Sequence, residues 1–287
     1  MKFLLSILGV FVLIFALVAF PLAIEIMGGE LSIDFSVMLD LTKAYLGGIF
    51  TGESFHYKEG VDRNPNFFAT IPDYLLTSFL YLAVAIILAI VISLLISAWF
   101  SRSRKEWMKD IIGFFGMVPD FIMVLFLQLG AVFFYQTTGL RLARIATRGV
   151  DEHAILLPLI TLTIVPTIYL IRSLSERTYD VLTDDYILTA KAKGLRKIYI
   201  FVQHVIRNVL PYLKADLHKV IAILMSNLFI VEYLFNISGL AGFLFNTGEY
   251  QFNLTTNILI TLVVLYIVLY WFIRLFIACL ERIFAHD

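Results

Sequence analysis

The stretch that decides the fold begins at Tyr74, ends at Ser101 and reads YLLTSFLYLAVAIILAIVISLLISAWFS. It contains no charged side chain, and about 20 apolar residues are enough for a helix to cross the hydrocarbon core of a bilayer. The rest of the chain agrees, since 60% of its 287 residues are hydrophobic, whereas soluble domains contain roughly 45–50% apolar residues. The sequence therefore predicts an integral membrane protein.

Five other apolar segments extend this pattern, so we predict an all-α protein with six transmembrane helices in a single domain, residues 1–287. The fifth uncharged run, Val220 to Val231, is short, but it is long enough if Lys219 snorkels at one end and Glu232 reaches the interface at the other. The predicted spans are about 3–24, 74–101, 111–136, 154–171, 215–235 and 254–277. The first run also has features of a secretory signal because Lys2 precedes it, although its apolar part is long.

The distribution of lysine and arginine predicts the orientation, because these residues are retained in cytoplasmic loops. Basic residues cluster at 102–109 and within 172–210, while acidic residues outnumber basic ones in 25–70. We therefore predict cytoplasmic termini, an extracytoplasmic segment 25–70 and a cytoplasmic loop 172–210. One outer loop disagrees, and its arginines could rest on one side of a short helix against lipid phosphates or meet an acidic partner. These arginines are Arg141, Arg144 and Arg148.

Two local patterns add detail to this outline. In the outer segment, Asp34 is a predicted N-cap for a short surface helix whose apolar positions recur at helical spacing until Gly47-Gly48 ends it. Pro119 and Pro166 are predicted inside lipid-embedded helices, where a proline removes a backbone donor. Kinks around a pathway and ordinary packing kinks both explain such prolines.

The charges and motifs argue against several functional classes. Twenty-two basic and 22 acidic residues cancel, which gives no electrostatic case for nucleic acid. The five histidines have no carboxylate or cysteine at ligand spacing, and the GxxxxGK and HExxH patterns do not occur. We therefore predict no catalytic residue, no metal site and no cofactor in this chain. Lys214, Asp216, His218 and Lys219 resemble a proton relay, but Asp216 and Lys219 can pair across one helical turn at a solvated helix entry.

A charged island lies between the fourth and fifth spans, at Asp184 to Leu195, and reads DDYILTAKAKGL. It is rich in helix formers, Thr183 or Asp184 can cap its start, and Gly194 can stop it. Tyr186, Ile187 and Ala190 would give this helix a partly apolar face. The island is either a knob for a partner's groove or a solvated loop at the membrane surface.

Several segments resemble binding-protein-dependent ABC importer permeases of the oligopeptide, dipeptide and nickel branch. The strongest likeness is TAKAKGL at 189–195 followed by HVIRN at 204–208. Weaker likenesses occur in the family's order and spacing along nearly the whole chain. They are YLGGIFTGES at 45–54, IPDYLLT at 71–77, VPDF at 118–121, LLPLITL at 156–162 and VEYLF at 231–235.

This resemblance implies a role for the island as a coupling helix that docks on a cytoplasmic ATPase. Its residues would be Asp184, Asp185, Tyr186, Thr189, Ala190, Lys191, Ala192, Lys193, Gly194 and Leu195. The resemblance further implies a permease subunit in the cell membrane of a prokaryote, forming half of a translocation pathway for oligopeptides or dipeptides. Its implied partners are membrane lipid, a second homologous permease, two ATPase subunits that bind ATP and Mg, and an extracytoplasmic substrate-binding protein.

The chain departs from the family pattern in places that leave the substrate open. Leu188-Thr189-Ala190 stands where the wider family begins its loop with Glu-Ala-Ala, and the fifth span carries bulky residues where relatives tend to have glycines. A nickel chelate or another small solute is therefore an alternative substrate. Two alternative functions are an ion-coupled secondary transporter and a membrane-bound enzyme. The candidate pathway residues are Pro119, Ser226, Asn227 and Glu232, although hydrogen bonding between helices explains Ser226 and Asn227 equally well.

Overall fold

The computed structural model of the chain describes residues 2–27, 30–60, 63–103, 110, 113–114, 116–141, 143–147, 153–245 and 248–285. In this part of the chain, helices account for most of the structure. The elements are α1 Lys2–Ala19, a 3₁₀ turn Phe20–Leu22, β1 Ile24–Met27, β2 Glu30–Ile33, α2 Phe35–Thr51, a 3₁₀ turn Glu53–Phe55, α3 Phe67–Ser103, α4 Asp120–Thr138, α5 Leu156–Thr183, α6 Asp185–Ala192, α7 Lys197–Ile200, a π-helical segment Phe201–Ile206, α8 Arg207–Leu234, α9 Leu240–Phe245 and α10 Phe252–Ala285.

Six helical segments in the described residues are long and apolar enough to cross a membrane, which confirms the predicted all-α, six-span class. They are Leu5–Leu22, Phe67–Ser97, Phe121–Thr138, Leu156–Thr183, Phe201–Leu234 and Phe252–Ile283. The fourth and fifth spanning segments, Leu156–Thr183 and Phe201–Leu234, extend well into 172–210, which the sequence assigns to a loop. The chain there is polar but rich in helix formers, so the helices continue past the apolar residues.

The contacts divide the chain into two compact units, and Met1–Thr77 with Ser238–Leu265 form the first. Its core joins α1, α2 and the start of α10 through Ile14, Val18, Tyr45 and Phe252. Strands β1 and β2 pair antiparallel in this unit, with Ile24 opposite Ile33. The sequence analysis missed this hairpin, although Gly28-Gly29 between two short runs is a known hairpin signal.

Helix α2 confirms the short helix predicted after Asp34 but corrects its end. Asp34 caps it, since Asp34 Oδ1 accepts from the Ser36 N–H at 2.8 Å. The predicted end at Gly47-Gly48 is wrong, because the helix continues to Thr51 and stops at Gly52, whose φ is +86°. Gly48 has a packing role: a Cβ there would lie 2.3 Å from Ser54 Oγ.

The second unit comprises Ser78–Ile237 and Tyr266–Asp287. Helices α5 and α8 pack against each other and run in opposite directions, because Ser173 contacts Asp216 while the Arg177 guanidinium lies 4.8 Å from the centre of the Tyr212 ring. Leu162, Leu170 and Leu174 of α5 are fully buried. The two helices that flank the charged island therefore form a closely packed pair.

Two further predictions are corrected in this unit. Pro119 lies at the N-cap of α4 and not inside a helix, where its missing N–H has no helical partner to lose; Pro166 is inside α5 as predicted. Residues 139–141 and 143–147 form bends and irregular structure, so neither Arg141 nor Arg144 lies in a helix. The third arginine of that loop, Arg148, lies outside the described residues. Glu232, which the sequence predicts at the membrane interface, is 2% exposed.

Candidate functional site

The charged island forms a short helix, α6, whose two ends follow from its sequence. Asp184 is the N-cap in an extended conformation, and its carbonyl accepts from the N–H groups of Ile187 and Leu188. At the other end, the N–H of Leu195 donates to the Ala190 carbonyl at 3.3 Å and the N–H of Gly194 donates to the Lys191 carbonyl at 3.0 Å. Gly194 has φ +76°. This is the hydrogen-bond pattern of a Schellman motif, in which glycine takes the left-handed position at low cost.

One face of α6 is committed to contacts within the chain. Ile187 is fully buried and Ala190 is 6% exposed, and both pack with Ile200 of α7 and with Leu182 near the end of α5. The sequence analysis predicted Ile187 and Ala190 on a face offered to a partner, which is wrong. These two side chains instead fix α6 to the helices before and after it.

Tyr186 extends this attachment to the π-helical segment and α8. Asn208 Nδ2 donates to the Tyr186 hydroxyl at 3.0 Å and to the His204 carbonyl at 2.7 Å. The Tyr186 and His204 rings meet edge to face, with centres 5.9 Å apart. Burial, and then the charge of Asp184, raise the pKa of Tyr186. The phenol therefore stays neutral, and its hydroxyl oxygen can accept from Asn208.

The remaining face of α6 is exposed and carries opposite charges at its two ends. Asp184 and Asp185 are exposed at the start, and Lys191 and Lys193 are exposed at the end, an arrangement that complements the helix dipole. Lys191 Nζ also donates to the Leu182 carbonyl at 3.3 Å, at the end of α5. A partner approaching from solution would meet these charges together with apolar side chains. The apolar ones are Tyr186, Leu188 and Leu195, which are 43%, 52% and 39% exposed.

Polar contacts connect α8 to its two neighbours in the second unit. The Ser173 hydroxyl on α5 donates to Asp216 Oδ2, and Asp216 also lies 3.7 Å from Lys219, which confirms the predicted pair within one turn. Lys214 Nζ donates to Glu281 on α10 at 2.9 Å. These side chains therefore hold α8 between α5 and α10 and do not form a chain of proton carriers.

His218 also joins α8 to α10. It hydrogen-bonds the Tyr266 hydroxyl at 2.7 Å, and its ring stacks on that of Tyr270 with centres 4.4 Å apart. Sequence reasoning missed Ser173, Glu281 and these two tyrosines, because polar residues at the ends of apolar runs give no sign of their partners on other helices.

The candidate pathway residues lie in different environments. Ser226 is exposed on α8, whereas its neighbour Asn227 is 2% exposed, and its Nδ2 has no hydrogen-bond partner among the described residues. Glu232 Oε1 accepts from the Ser78 hydroxyl of α3 at 2.5 Å. Pro119 is exposed at the start of α4. These four residues therefore do not share one environment.

The described residues contain no group of three or more His, Cys, Asp or Glu side chains that could hold a metal ion. Comparison with known proteins identifies the family.

Residues 85–286 match the family described as the binding-protein-dependent transport system inner membrane component. The chain belongs to this family. The match contains α6, the helices on either side of it and α10.

Several proteins that are similar in sequence to this chain are named as permease proteins of transport systems. The dipeptide transport system permease protein DppB of Bacillus subtilis (strain 168) is 30% identical over 152 residues, which are 52% of this chain and 47% of that protein. DppB of Lactococcus lactis subsp. cremoris (strain MG1363) is 28% identical over 203 residues, which are 68% of this chain and 63% of that protein. The putrescine export system permease protein SapB of Escherichia coli (strain K12) is 32% identical over 96 residues, which are 33% of this chain and 30% of that protein. The matches therefore span less than two thirds of each of these relatives.

Membership in this family makes the chain a multi-pass inner membrane component of a transport system, in agreement with the six apolar helices. The family description assigns it transport and no enzymatic reaction. The sequence analysis reached the family through the segment 189–195, and the structure shows that the same segment forms the end of a fixed, solvent-exposed helix.

Proposed function

We propose that this chain is the permease subunit of an ATP-driven importer and forms half of a translocation pathway for oligopeptides or dipeptides. An extracytoplasmic binding protein would deliver the substrate, a second permease would supply the other half of the pathway, and two cytoplasmic ATPase subunits would bind ATP and Mg. The observation that carries this proposal is the geometry of α6. It is an exposed, charged helix rigidly attached to two membrane helices, in a chain of the transport-component family.

The coupling role belongs to the exposed part of Asp184–Leu195. Asp184, Asp185, Tyr186, Leu188, Lys191 and Lys193 offer a cleft in the ATPase both charges and apolar area, while Ile187 and Ala190 transmit its movement because they are buried against Leu182 and Ile200. Thr189 and Ala192 lie on the exposed side as well. A displacement of α6 would therefore displace the ends of α5 and α8, because closely packed side chains transmit the movement and absorb little of it.

The same displacement would extend to α10. Lys214 and Glu281 form a partly buried ion pair between α8 and α10, and His218 joins the same helices through Tyr266 and Tyr270. Closure of the ATPase pair on ATP would then move α5, α8 and α10 together and change the pathway from inward-facing to outward-facing. Ser226 and Asn227 of α8, with Pro119 and Glu232, are our candidates for the residues along that pathway.

A glycine substitution tests the coupling role. Gly194→Val places a β-branched residue at φ +76°, which strains the turn although nothing lies within 4 Å of the new Cβ. The matched control is Gly139→Val, at the end of α4, where φ is +71° and the space is equally open. We expect Gly194→Val to abolish ATP-dependent uptake while membrane insertion stays normal, and Gly139→Val to retain most uptake. Normal uptake by Gly194→Val would contradict the coupling role.

Copurification distinguishes this importer from an ion-coupled secondary transporter. After extraction in mild detergent, an ATPase should accompany the wild-type chain and should be lost from Gly194→Val. Reconstituted vesicles should accumulate substrate only when that ATPase and ATP are present. Full accumulation by the chain in vesicles without any ATPase would overturn the proposal.

Uptake and competition assays identify the substrate. The names of the DppB relatives favour a dipeptide as the substrate. The second candidate is a nickel chelate or another small solute; the name of the SapB relative suggests putrescine as one such solute. We expect unlabelled dipeptides to compete with a radiolabelled dipeptide and nickel or putrescine to leave uptake unchanged. The reverse pattern would keep the importer mechanism and replace the substrate.

The orientation is tested with thiol reagents. Cys279 is the chain's one cysteine and is exposed near the end of α10. In a Cys279→Ser background, we expect Leu188→Cys to react with a membrane-impermeant maleimide only when the cytoplasmic side is opened. Labelling of that cysteine in intact cells would place α6 outside and overturn both the predicted orientation and the coupling role.

A further inference from the structure

The inner part of α10 contains an arginine in surroundings that are otherwise apolar. Arg274 is the one charged residue between Phe252 and Leu280. The uncharged run before it, Leu254 to Ile273, has 20 residues, and at 1.5 Å per residue such a helix spans about 30 Å, the thickness of the hydrocarbon core. Counted from Leu254, Arg274 therefore follows about one hydrocarbon thickness of helix, where a side chain can reach the headgroup layer.

The surface around Arg274 is exposed and apolar. Its neighbours Trp271 and Leu275 are 60% and 66% exposed, and Val268, one turn earlier, is 48% exposed. Large apolar side chains at this density on the outside of a membrane helix are typical of contact with acyl chains, and tryptophan is enriched where acyl chains meet headgroups. Arg274 is itself exposed on this surface.

The guanidinium of Arg274 is held in place but not neutralised. It lies 5.9 Å from the centre of the Tyr270 ring and 5.2 Å from that of Trp271, and Nη1 donates to the Tyr270 hydroxyl at 3.3 Å. Within the described residues no carboxylate lies within 4.0 Å of it, and Glu281 on the same helix is paired with Lys214. Most of its five N–H donors therefore remain for an external anion.

A second arginine lies on the same side of α10. Arg282 follows Trp271 by 11 residues, about three turns, and Arg274 by about two turns. It is exposed, and it forms no ion pair in the described part of the chain. The two arginines are about 12 Å apart along the helix axis, since eight residues separate them.

We propose that Arg274, supported by Tyr270 and Trp271 and assisted by Arg282, binds the phosphate of an anionic phospholipid headgroup. A lipid-facing guanidinium without a carboxylate is costly, and headgroup phosphate is the anion that the surrounding bilayer supplies. Arginine suits this anion because its planar fork matches phosphate oxygens. The bound lipid would lie on the helix that also carries the Lys214–Glu281 and His218–Tyr266 contacts to α8.

Lipid titration of the purified full-length chain tests this site. Native mass spectrometry in mild detergent would compare phosphatidylglycerol with phosphatidylcholine for the wild type, Arg274→Gln and Arg274→Gln combined with Arg282→Gln. A basic residue near an anionic lipid surface contributes about 1 kcal/mol, or about a fivefold change in affinity. We expect phosphatidylglycerol affinity to fall about fivefold in the single variant and further in the double variant, with phosphatidylcholine unchanged.

Two further variants keep the test sharp. Arg177→Gln is the matched control, because Arg177 also lies over a tyrosine ring but has Asp180 at 4.0 Å; it should leave phosphatidylglycerol binding unchanged. Arg274→Lys should retain most of the preference and shows whether loss in Arg274→Gln reflects charge or folding. Equal affinity of the wild type for both lipids, equal loss in Arg177→Gln, or displacement of the lipid by inorganic phosphate would overturn the proposal. Transport is not required for this measurement, so its result is independent of the importer assignment.

Discussion

The helices α2 and α6 have similar caps at their ends, but their side chains make different contacts. Each starts after an aspartate N-cap in an extended conformation, and a glycine in the left-handed region follows its end, Gly52 for α2 and Gly194 for α6. The Asp34 carboxylate accepts from the Ser36 N–H and hydroxyl, at 2.8 and 2.6 Å. Asp184 makes no such side-chain bond, so its carboxylate is free of any role in capping.

The anchors of the two helices differ in the same way. Tyr45 of α2 donates to Asn257 Oδ1 at 2.6 Å, Asn257 Nδ2 donates to the Ser54 carbonyl at 2.8 Å, and Ser54 Oγ donates to the Tyr45 carbonyl at 2.6 Å. Helix α6 has a small apolar cluster and two exposed hydrogen bonds, one from Asn208 to Tyr186 and one from Lys191 to the Leu182 carbonyl. The first helix uses its polar groups to fix itself, whereas the second leaves most of its polar groups exposed.

The largest expected effect of a substitution lies in the buried network of α2. Asn257→Leu keeps the branching at Cγ but leaves the Tyr45 hydroxyl and the Ser54 carbonyl without their partners. Each buried unsatisfied group costs about 1–3 kcal/mol, so we expect the free energy of unfolding to fall by about 4 kcal/mol in chemical denaturation in detergent. The matched change at α6, Asn208→Leu, should cost less than about 1 kcal/mol because its bond is exposed. A similar fall in the free energy of unfolding in both variants would contradict the difference between the buried network of α2 and the exposed bond of α6.

A smaller, local effect is expected at the apolar anchor of α6. Ile187→Ala removes a fully buried side chain and should cost about 2–3 kcal/mol. The exposed neighbour provides the control, since Leu188→Ala should cost less than about 0.5 kcal/mol. Hydrogen exchange of the α6 amides is the measurement: we expect protection to drop in Ile187→Ala and to persist in Leu188→Ala. Unchanged protection in Ile187→Ala would mean that the apolar cluster does not hold α6.

Alkaline titration separates the two anchoring tyrosines. Burial raises the pKa of Tyr45 to about 12 from 10.0, so the fold favours the neutral phenol. Its contribution to stability is complete below about pH 10 and is lost as the pH rises through about 12. The absorbance difference between the wild type and Tyr45→Phe should therefore titrate near pH 12. The pKa of Tyr186 is also raised, and its difference titration should lie above pH 10. A Tyr45 phenol that ionises at pH 10 would contradict the buried network.

The smallest effect is expected at the caps, in acid. Hydrogen bonds from Ser36 lower the pKa of Asp34 below 3.8, so this contribution to stability is present above about pH 4 and is lost as the pH falls through the lowered value. Asp34→Asn should make the fraying of α2, followed by hydrogen exchange, insensitive to this fall. Fraying of α2 that keeps its acid dependence in Asp34→Asn would contradict this role of the carboxylate.

The sequence was sufficient for the starts of both helices and for the end of α6, and insufficient for the end of α2 and for the faces. Asp34, Asp184 and Gly194 act through neighbouring backbone groups, so their effects can be read from adjacent residues. The orientation of α6 could not be read in this way, because helical periodicity shows that Ile187 and Ala190 share a face but not whether another part of the chain covers it. Here Leu182 and Ile200 cover that face.

The same limit explains the errors at single residues. Gly48 resembles a helix stop until Ser54 is seen against it, and the residues around Glu232 give no sign that Ser78 of α3 donates to it. Both partners are set by tertiary packing. The family, by contrast, was accessible from the sequence because segment 189–195 is a local motif.

The π-helical segment Phe201–Ile206 has a consequence for the geometry between α6 and α8. Each π turn holds about one residue more than an α turn, so everything downstream is rotated relative to an uninterrupted α-helix. Six residues at about 4.6 per turn rotate the chain by about 470°, and five α-helical residues rotate it by about 500°. Removing one residue from this segment would therefore restore α-helical winding and leave α8 close to its present orientation. Asn208 would stay near Tyr186, so the segment can lose one residue without redirecting the membrane helix or changing any residue that α6 touches through its apolar cluster.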